Sequence, residues 1–414
     1  MTDQQTDESE FRPFNLDTDL AAIKRMWREV GWVSADEEKY VDHFFAVGET
    51  LLATLNGEPE CCVHITDGTL RLQQTDIPLC AVTAVITSRI ARNHAFAKRL
   101  TALQLQHAAG QGAAVAALGM FDQGFYDLLG FGTAGYDHHF AFDPADLRVN
   151  AAVPTPRRLD ANDFALMHGA MCARAKVHGS VVLHPAELMR AEFGWSENGF
   201  GLGYGQGDKL THFVWLRGSV EHGPYAVTHM AYQNAEQLLE LLGLLKSLAD
   251  QVYSVRMIEP PEIQLQSLLS RPFRSQALTK DSKHQAEHRS FAWWQLRMLD
   301  VSACVAAYSA DNQVVSFQLE LSDPLSDLLP EKDSWRGVSG QYKVEIARLS
   351  SAVPGEDMAL PRLSCSVNAF TRLMWGVAKA SSLVITDDFA APEGLISALD
   401  RALHLPTPHT GWEF

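Results

Sequence analysis

Three short segments of this chain combine residue types that could share one reaction. Val82-Thr83-Ala84-Val85-Ile86-Thr87 reads as the end of a buried strand, and Arg92-Asn93-His94-Ala95-Phe96-Ala97-Lys98 opens an amphipathic helix just after it. A strand feeding a helix start leaves backbone N–H groups and a positive dipole facing outward, which can hold a pyrophosphate such as that of coenzyme A. One helix and one strand later, Tyr126 precedes Gly130-Phe131-Gly132 on what reads as a short helix. A phenol placed there could protonate a departing thiolate.

The elements that must position these residues are legible from periodicity. Asp17 or Thr18 caps a helix carrying Leu20, Ile23, Trp27 and Val30, and Asp36 to Phe45 forms a second short helix. Asn56-Gly57 turns a hairpin between Thr50–Leu55 and Cys61–Ile65, and a third strand follows Asp67-Gly68. Leu79 to Thr87 is a central strand, and the helix after it sets Phe96, Leu100, Leu103 and His107 on one face. Ala113–Leu118 is a second buried strand, Gly124–Leu129 a short helix and Phe131–Phe142 a final strand, making an α/β unit with a mixed sheet. Pro154-Thr155-Pro156-Arg157-Arg158 marks a boundary. A second unit follows, containing a long helix from Ala235 to Val252 capped by Asn234. A third unit from Phe291 carries strands at Val314–Leu321 and Tyr342–Leu349 and helices at Val367–Ala378 and Leu395–Leu403. The expected domains are therefore 1–150, 151–290 and 291–414.

These three segments together resemble the GNAT acetyltransferase superfamily, whose pyrophosphate loop reads Arg/Gln-x-x-Gly-x-Gly/Ala and whose next helix carries Tyr before Gly-Phe. More narrowly, the chain resembles the enhanced-intracellular-survival (Eis) acetyltransferases. Its length, its three-unit layout, Trp294-Gln295-Leu296-Arg297-Met298-Leu299-Asp300-Val301 and the terminal Glu413-Phe414 all support the narrower likeness. The resemblance implies an α/β (α+β) chain of two GNAT-like mixed-sheet domains, the second degenerate, followed by a sterol-carrier-protein-like α/β domain. It also implies acetyl-CoA as cosubstrate. Val85, Ile86 and Thr87 would bind the pantetheine arm; Arg92, Asn93, His94, Ala95, Phe96, Ala97 and Lys98 the pyrophosphate; Phe121 and Asp122 the cofactor at the next strand end. Tyr126 would be the proton donor and the Phe414 carboxylate the proton acceptor. Ala95 stands where the family has Gly, and Arg89 where Pro is usual. An Ala methyl crowds a backbone that must approach a phosphate.

Other motifs have plainer readings. His284-Gln285-Ala286-Glu287-His288 fits an inverted zinc-protease pattern, but its flanks Lys280–Lys283 and Arg289 supply no apolar face, so a solvated surface segment is expected. Gly199–Gly207 lacks the third glycine of a dinucleotide loop and reads as a turn region. Gly194-Trp195-Ser196-Glu197-Asn198-Gly199 misses the nucleophile-elbow spacing by one residue. Trp27 belongs to a core face. Trp32, followed by Asp36-Glu37-Glu38, is either a packing residue or a surface on which a cationic amine stacks.

Composition bounds what remains. The 414 residues carry 50 acidic against 34 basic side chains, a net charge of −16, which repels nucleic acid and anionic membranes and favours amine-bearing small molecules. The chain has no apolar run of bilayer-spanning length. Cys61, Cys62, Cys80, Cys172, Cys304 and Cys365 form no C-x-x-C, so reduced core thiols, no metal and a cytoplasmic location are expected. Met1–Glu10 reads as a frayed tail. The expected function is transfer of acetyl from acetyl-CoA to a primary amine, aminoglycoside-like or lysine-type, by direct attack in a ternary complex. Trp32, Asp36 and Glu413 are the expected substrate contacts. Because a terminal carboxyl has a pKa of about 3.3–3.7, Phe414 would need partial desolvation to act as a base. The alternative is a catalytically degenerate binding or assembly protein. The family resemblance also implies a homo-oligomer, a hexamer.

Overall fold

The structure, a computed structural model, describes residues 9–218, 220–272, 284–310, 313–331 and 335–414. The chain opens with β1 (Ser9–Pro13), α1 (Leu16–Val30), α2 (Val41–Phe45), β2 (Glu49–Leu55), β3 (Glu58–Leu72) and β4 (Thr75–Thr87). It continues through α3 (Phe96–Gly110), β5 (Val115–Gly119), α4 (Gln123–Asp127) and β6 (Gly132–Thr133). Then come β7 (Asp137–Phe142), β8 (Arg157–Leu159), α5 (Phe164–Ala173), β9 (Val181–Leu183), α6 (Ala186–Trp195) and β10 (Gly199–Gln206). After these lie β11 (Lys209–Arg217), β12 (Tyr225–Ala231), α7 (Ala235–Ser247), β13 (Val255–Ile258) and β14 (Glu287–Phe291). The last stretch holds β15 (Trp294–Met298), α8 (Val301–Ala306), β16 (Val315–Ser322), β17 (Gly340–Ile346), β18 (Ser351–Pro354) and β19 (Arg362–Ser366). It closes with α9 (Val367–Met374), α10 (Ala380–Thr386), β20 (Phe389–Ala390) and α11 (Glu393–Ala402).

These elements pack into two units, one of Met1–Gly135, Val177–Pro185 and Trp293–Phe414, the other of Tyr136–Lys176 and Ala186–Ala292. The first unit holds two sheets. One has the order β1-β2-β3-β4-β5-β15-β6 with β9 also on β3; the other runs β18-β17-β16-β19-β20. The second unit holds one sheet, β14-β7-β13-β12-β11-β10-β8. Each sheet is antiparallel except for one parallel pair, β4/β5, β16/β19 or β12/β13, so the α/β class with mixed sheets is what the chain adopts.

In the first unit, α3 lays Phe96, Leu100 and Leu105 on Cys61, Val63 and Ile65 of β3 and on Cys80 and Val82 of β4. Each such side chain contributes about 1.5–3 kcal/mol by leaving water. Burial pushes the Cys61 and Cys80 thiols up to about 12, so they behave as inert packing groups. In the second unit the leucines of α7 (Leu238, Leu241, Leu242, Leu244 and Leu245) pack on Phe140, Phe142, Val214 and Val255. Their apolar face is thus consumed within the unit itself. No helix among the described residues is long and apolar enough to cross a membrane.

Several local expectations are corrected. Phe131–Phe142 is not one strand: β6 and β7 join different sheets, and at Gly135 between them a Cβ would lie 2.2 Å from Thr407 Cγ2, a constraint set by distant residues. Gly199–Gly207 is mostly strand β10, because Leu159, Leu210 and Trp215 fill the space above Gly201 and Gly203 that side chains would take. Glu287 and His288 lie on edge strand β14, where the His288 ring stacks on Phe140 at 4.5 Å; Lys280–Lys283 lie outside the described residues. A strand cannot bring His284 and His288 to one metal in the helical manner of the motif. Ser9 and Glu10 pair with Leu55 and Thr54, so they are sheet rather than tail. The helix expected to reach Val252 ends at Ser247.

Candidate active site

The site begins where the β4/β5 ladder stops. Four parallel pairs join them, Leu79 with Val115 through Val82 with Leu118. β4 continues to Thr87 with β3 as its partner, leaving Val85, Ile86 and Thr87 without a strand on the β5 side. Backbone groups on that edge are available to an extended ligand.

Past Thr87 the chain loops before entering α3. Arg89 ties the loop to the end of α1, donating from its guanidinium to the Glu29 carbonyl at 2.6 Å and from its backbone N–H to the Glu29 carboxylate at 3.2 Å. Two residues take the left-handed conformation, Asn93 at φ 69° and Ala95 at φ 57°. This conformation is where a glycine would serve, and it costs a non-glycine residue about 1–2 kcal/mol. Ala95 is also the N-cap of α3 and provides no side-chain acceptor. The first N–H groups of α3 therefore keep their capacity for an anion, with Arg92 and Lys98 beside them. His94 stacks on Phe96 at 5.2 Å.

A cavity of about 620 Å³ opens here. It is lined by Val85–Thr87, Ala91–Asn93 and Ala95–Lys98, by Val30 and Trp32, and by Phe121, Asp122 and Phe125. Of the residues expected to touch cofactor or substrate, His94, Asp36, Glu413, Tyr126 and Phe414 are not in the lining. Trp32 is 47% exposed and edge-packed on buried Trp27 at 5.3 Å, so its outer surface faces the opening. Glu37 and Glu38 are engaged locally, with the Ser34 N–H and with Arg28. Val30, Ala91 and Phe125 are lining residues the sequence did not single out, since an apolar wall residue has the same pattern as a core residue.

Tyr126 packs against two of the lining residues, Phe121 and Phe125. Asp122 caps α4, its carboxylate accepting from the Phe125 N–H at 3.3 Å. The Tyr126 ring is buried and meets Phe125 at 4.9 Å and Phe121 at 5.9 Å, both edge-on. Burial, reinforced by the Asp122 charge, pushes the phenol well above its ordinary value near 10. It keeps its proton across the neutral and moderately alkaline range, as a donor must.

Phe414 comes to the end of β5. The tail reaches it by pairing with the 177–181 segment: His409 N–H donates to the His178 carbonyl at 3.0 Å and Val181 N–H to the Thr410 carbonyl at 2.9 Å. Trp412 is buried, and the Phe414 ring lies 6.0 Å from that of Trp293. A Cβ on Gly119 would be 3.7 Å from the Phe414 main-chain oxygen. Phe414 thus abuts the strand that leads to Phe121, Asp122 and Tyr126. Glu413 is exposed.

The features suit acetyl-CoA: an open strand edge for an amide-bearing arm, an uncapped helix start for a pyrophosphate, and two nearby cations. Among the described residues no group of three or more metal-ligating side chains converges. Residues 10–134 match the family profile of the acetyltransferase (GNAT) domain. The chain's fold is similar to that of a GCN5-related N-acetyltransferase from Kribbella flavida, at 20% identity over 100% of both chains and a TM-score of 0.75. It is similar also to Eis1 from Mycobacterium abscessus, at 18% identity over 98% of this chain and 100% of that one, with a TM-score of 0.74. A probable N-acyltransferase from Enterococcus faecalis aligns over 99% of this chain and 100% of its own, at 13% identity and a TM-score of 0.79. Among curated proteins none matches the sequence. Residues 10–134 are thus a GNAT acetyltransferase domain within a chain of Eis-like fold, and the protein is an acetyl-CoA-dependent acyltransferase.

Proposed function

We propose that the protein acetylates a primary amine, aminoglycoside-like or lysine-type, by direct attack of the amine on acetyl-CoA while both are bound. The observation that carries this reading is the meeting of the open β4 edge and the uncapped start of α3 at one cavity, with the buried phenol of Tyr126 packed against Phe121 and Phe125, which line it. Val85 to Thr87 hold the pantetheine arm, and the α3 start with Arg92 and Lys98 holds the pyrophosphate. Acetyl-CoA supplies an activated acyl group on sulfur. The Tyr126 Oη gives a proton to that sulfur as the thiol departs. The amine must be neutral to attack, and the Phe414 carboxylate takes its proton. Trp32 stacks on the acceptor, with Glu413 and Asp36 as acidic contacts further out.

The same reading gives three domains, 1–150, 151–290 and 291–414, with the middle one inactive and the last sterol-carrier-like, in a cytoplasmic homohexamer. Tyr126→Phe is expected to lower kcat by about 10²–10⁴-fold while acetyl-CoA affinity is retained. Thiol release across a panel of amine acceptors is the measurement. Wild-type turnover in that variant would remove Tyr126 from the chemistry.

A further inference from the structure

Tyr126 rides on a helix of only five residues, which cannot hold its own last turn. The segment that follows, Asp127 to Thr133, is held by side chains from far along the sequence. Asn368 donates its amide to the Phe131 carbonyl at 2.7 Å and to the Asp127 carbonyl at 3.2 Å. Gln295 donates to the Asp127 carboxylate at 2.8 Å and the Thr133 hydroxyl at 3.2 Å. Arg297 donates to the Leu129 carbonyl, and Arg372 to the Thr133 carbonyl at 3.1 Å.

These donors are themselves fixed. Arg297 and Asp323 are both fully buried and paired at 2.6 Å, and the Asp323 carboxylate also accepts the Val338 and Leu325 N–H groups at 2.8 and 3.0 Å. The glycines flanking Phe131 let the donors approach. A Cβ on Gly130, at φ 81°, would lie 2.7 Å from Val367 Cγ1 and 2.8 Å from the Arg297 guanidinium; one on Gly132 would lie 2.8 Å from the Asn368 carbonyl.

We propose that Asn368, Gln295 and Arg297 are positioning residues that set where the Tyr126 phenol stands, acting through the 127–133 backbone. The proposal rests on Tyr126 being the proton donor. Mere adhesion between two parts of the unit would lower stability and leave the chemistry alone. Positioning lowers kcat at unchanged KM, because the misplaced group acts only as the bond breaks.

The test is a double-mutant cycle on the full chain with Asn368→Leu, which keeps size and removes both N–H donors, and Tyr126→Phe. Asn368→Leu alone should lower kcat about 10- to 100-fold with the acetyl-CoA KM unchanged, and in the Tyr126→Phe background it should cost nothing more. Wild-type kcat in Asn368→Leu, or an equal loss in both backgrounds, overturns the positioning role while leaving Tyr126 as the acid. Wild-type kcat in Tyr126→Phe alone overturns the acid itself. If Asn368→Leu does not fold, Gln295→Leu, which releases the other side of the same segment, carries the same cycle.

Discussion

Two regions of the molecule, β4–α3–β5 and β12–α7–β13, share one plan: a strand paired antiparallel with its predecessor, a crossover helix, and a strand returning parallel. They differ in how the helix begins. Between β12 and α7 stand only Tyr232, Gln233 and Asn234, and Asn234 closes the start by accepting the Gln237 N–H at 3.0 Å. The Gln237 side chain in turn accepts the Gln233 N–H at 2.8 Å. Between β4 and α3 the chain spends Ser88 to Ala95, twists two residues into left-handed geometry and ends on a methyl group. A capped helix start has given one of its free N–H groups to its own side chain, whereas an uncapped one keeps that group for a phosphate. Topology alone therefore does not decide whether a helix start is open; the capping residue does.

If chemistry belongs to the first crossover alone, the largest effect should come from disturbing what abuts its returning strand. A C-terminal extension, or deletion of Phe414 with loss of its anchoring ring, should cost about 10²-fold in turnover at matched thermal stability, while an N-terminal extension costs nothing. Equal turnover in C-terminally extended and native protein would move the base elsewhere. A smaller effect follows from the left-handed residue. Ala95→Gly should raise stability by about 1 kcal/mol, seen as a higher Tm, and tighten acetyl-CoA binding in a calorimetric titration. Weaker binding would mean the loop relies on the methyl. Smallest is the control in the closed crossover: Asn234→Ala should lose about 1 kcal/mol of stability with no change in acetyl-CoA affinity. A change in that affinity would break the distinction between the two helix starts.

The two crossovers also mark how far the sequence was legible. The apolar run ending at Thr87 and the Asn234 cap are local signals, and the strand end and the helix start lie where expected, although the strand begins earlier and the helix stops at Ser247. Val85–Thr87, Arg92, Asn93 and Ala95–Lys98, expected from the sequence to bind a cofactor, lie together at the cavity because they are near one another along the chain. What escaped was set by distant partners. Gly201 is a strand residue because of Trp215 and Leu159, the break at Gly135 depends on Thr407, and the donors around Tyr126 come from residues 295–372. Gln295 and Arg297 within the otherwise apolar strand Trp294–Met298 were the available hints, since buried polar side chains need partners.

The family profile ends at Thr133-Ala134, yet the sheet it describes does not close there: β15 stands between β5 and β6, pairing Trp294–Met298 with Gly119–Val115 and Gln295 with Thr133. On the ribosome, the acetyltransferase sheet is therefore incomplete until the whole second unit has been made. Until then β5 and β6 carry open edges, the kind of surface that chaperones cover and that slows folding by demanding a late, long-range strand insertion. A gene fragment ending at the profile's boundary lacks β15 and keeps that open edge permanently.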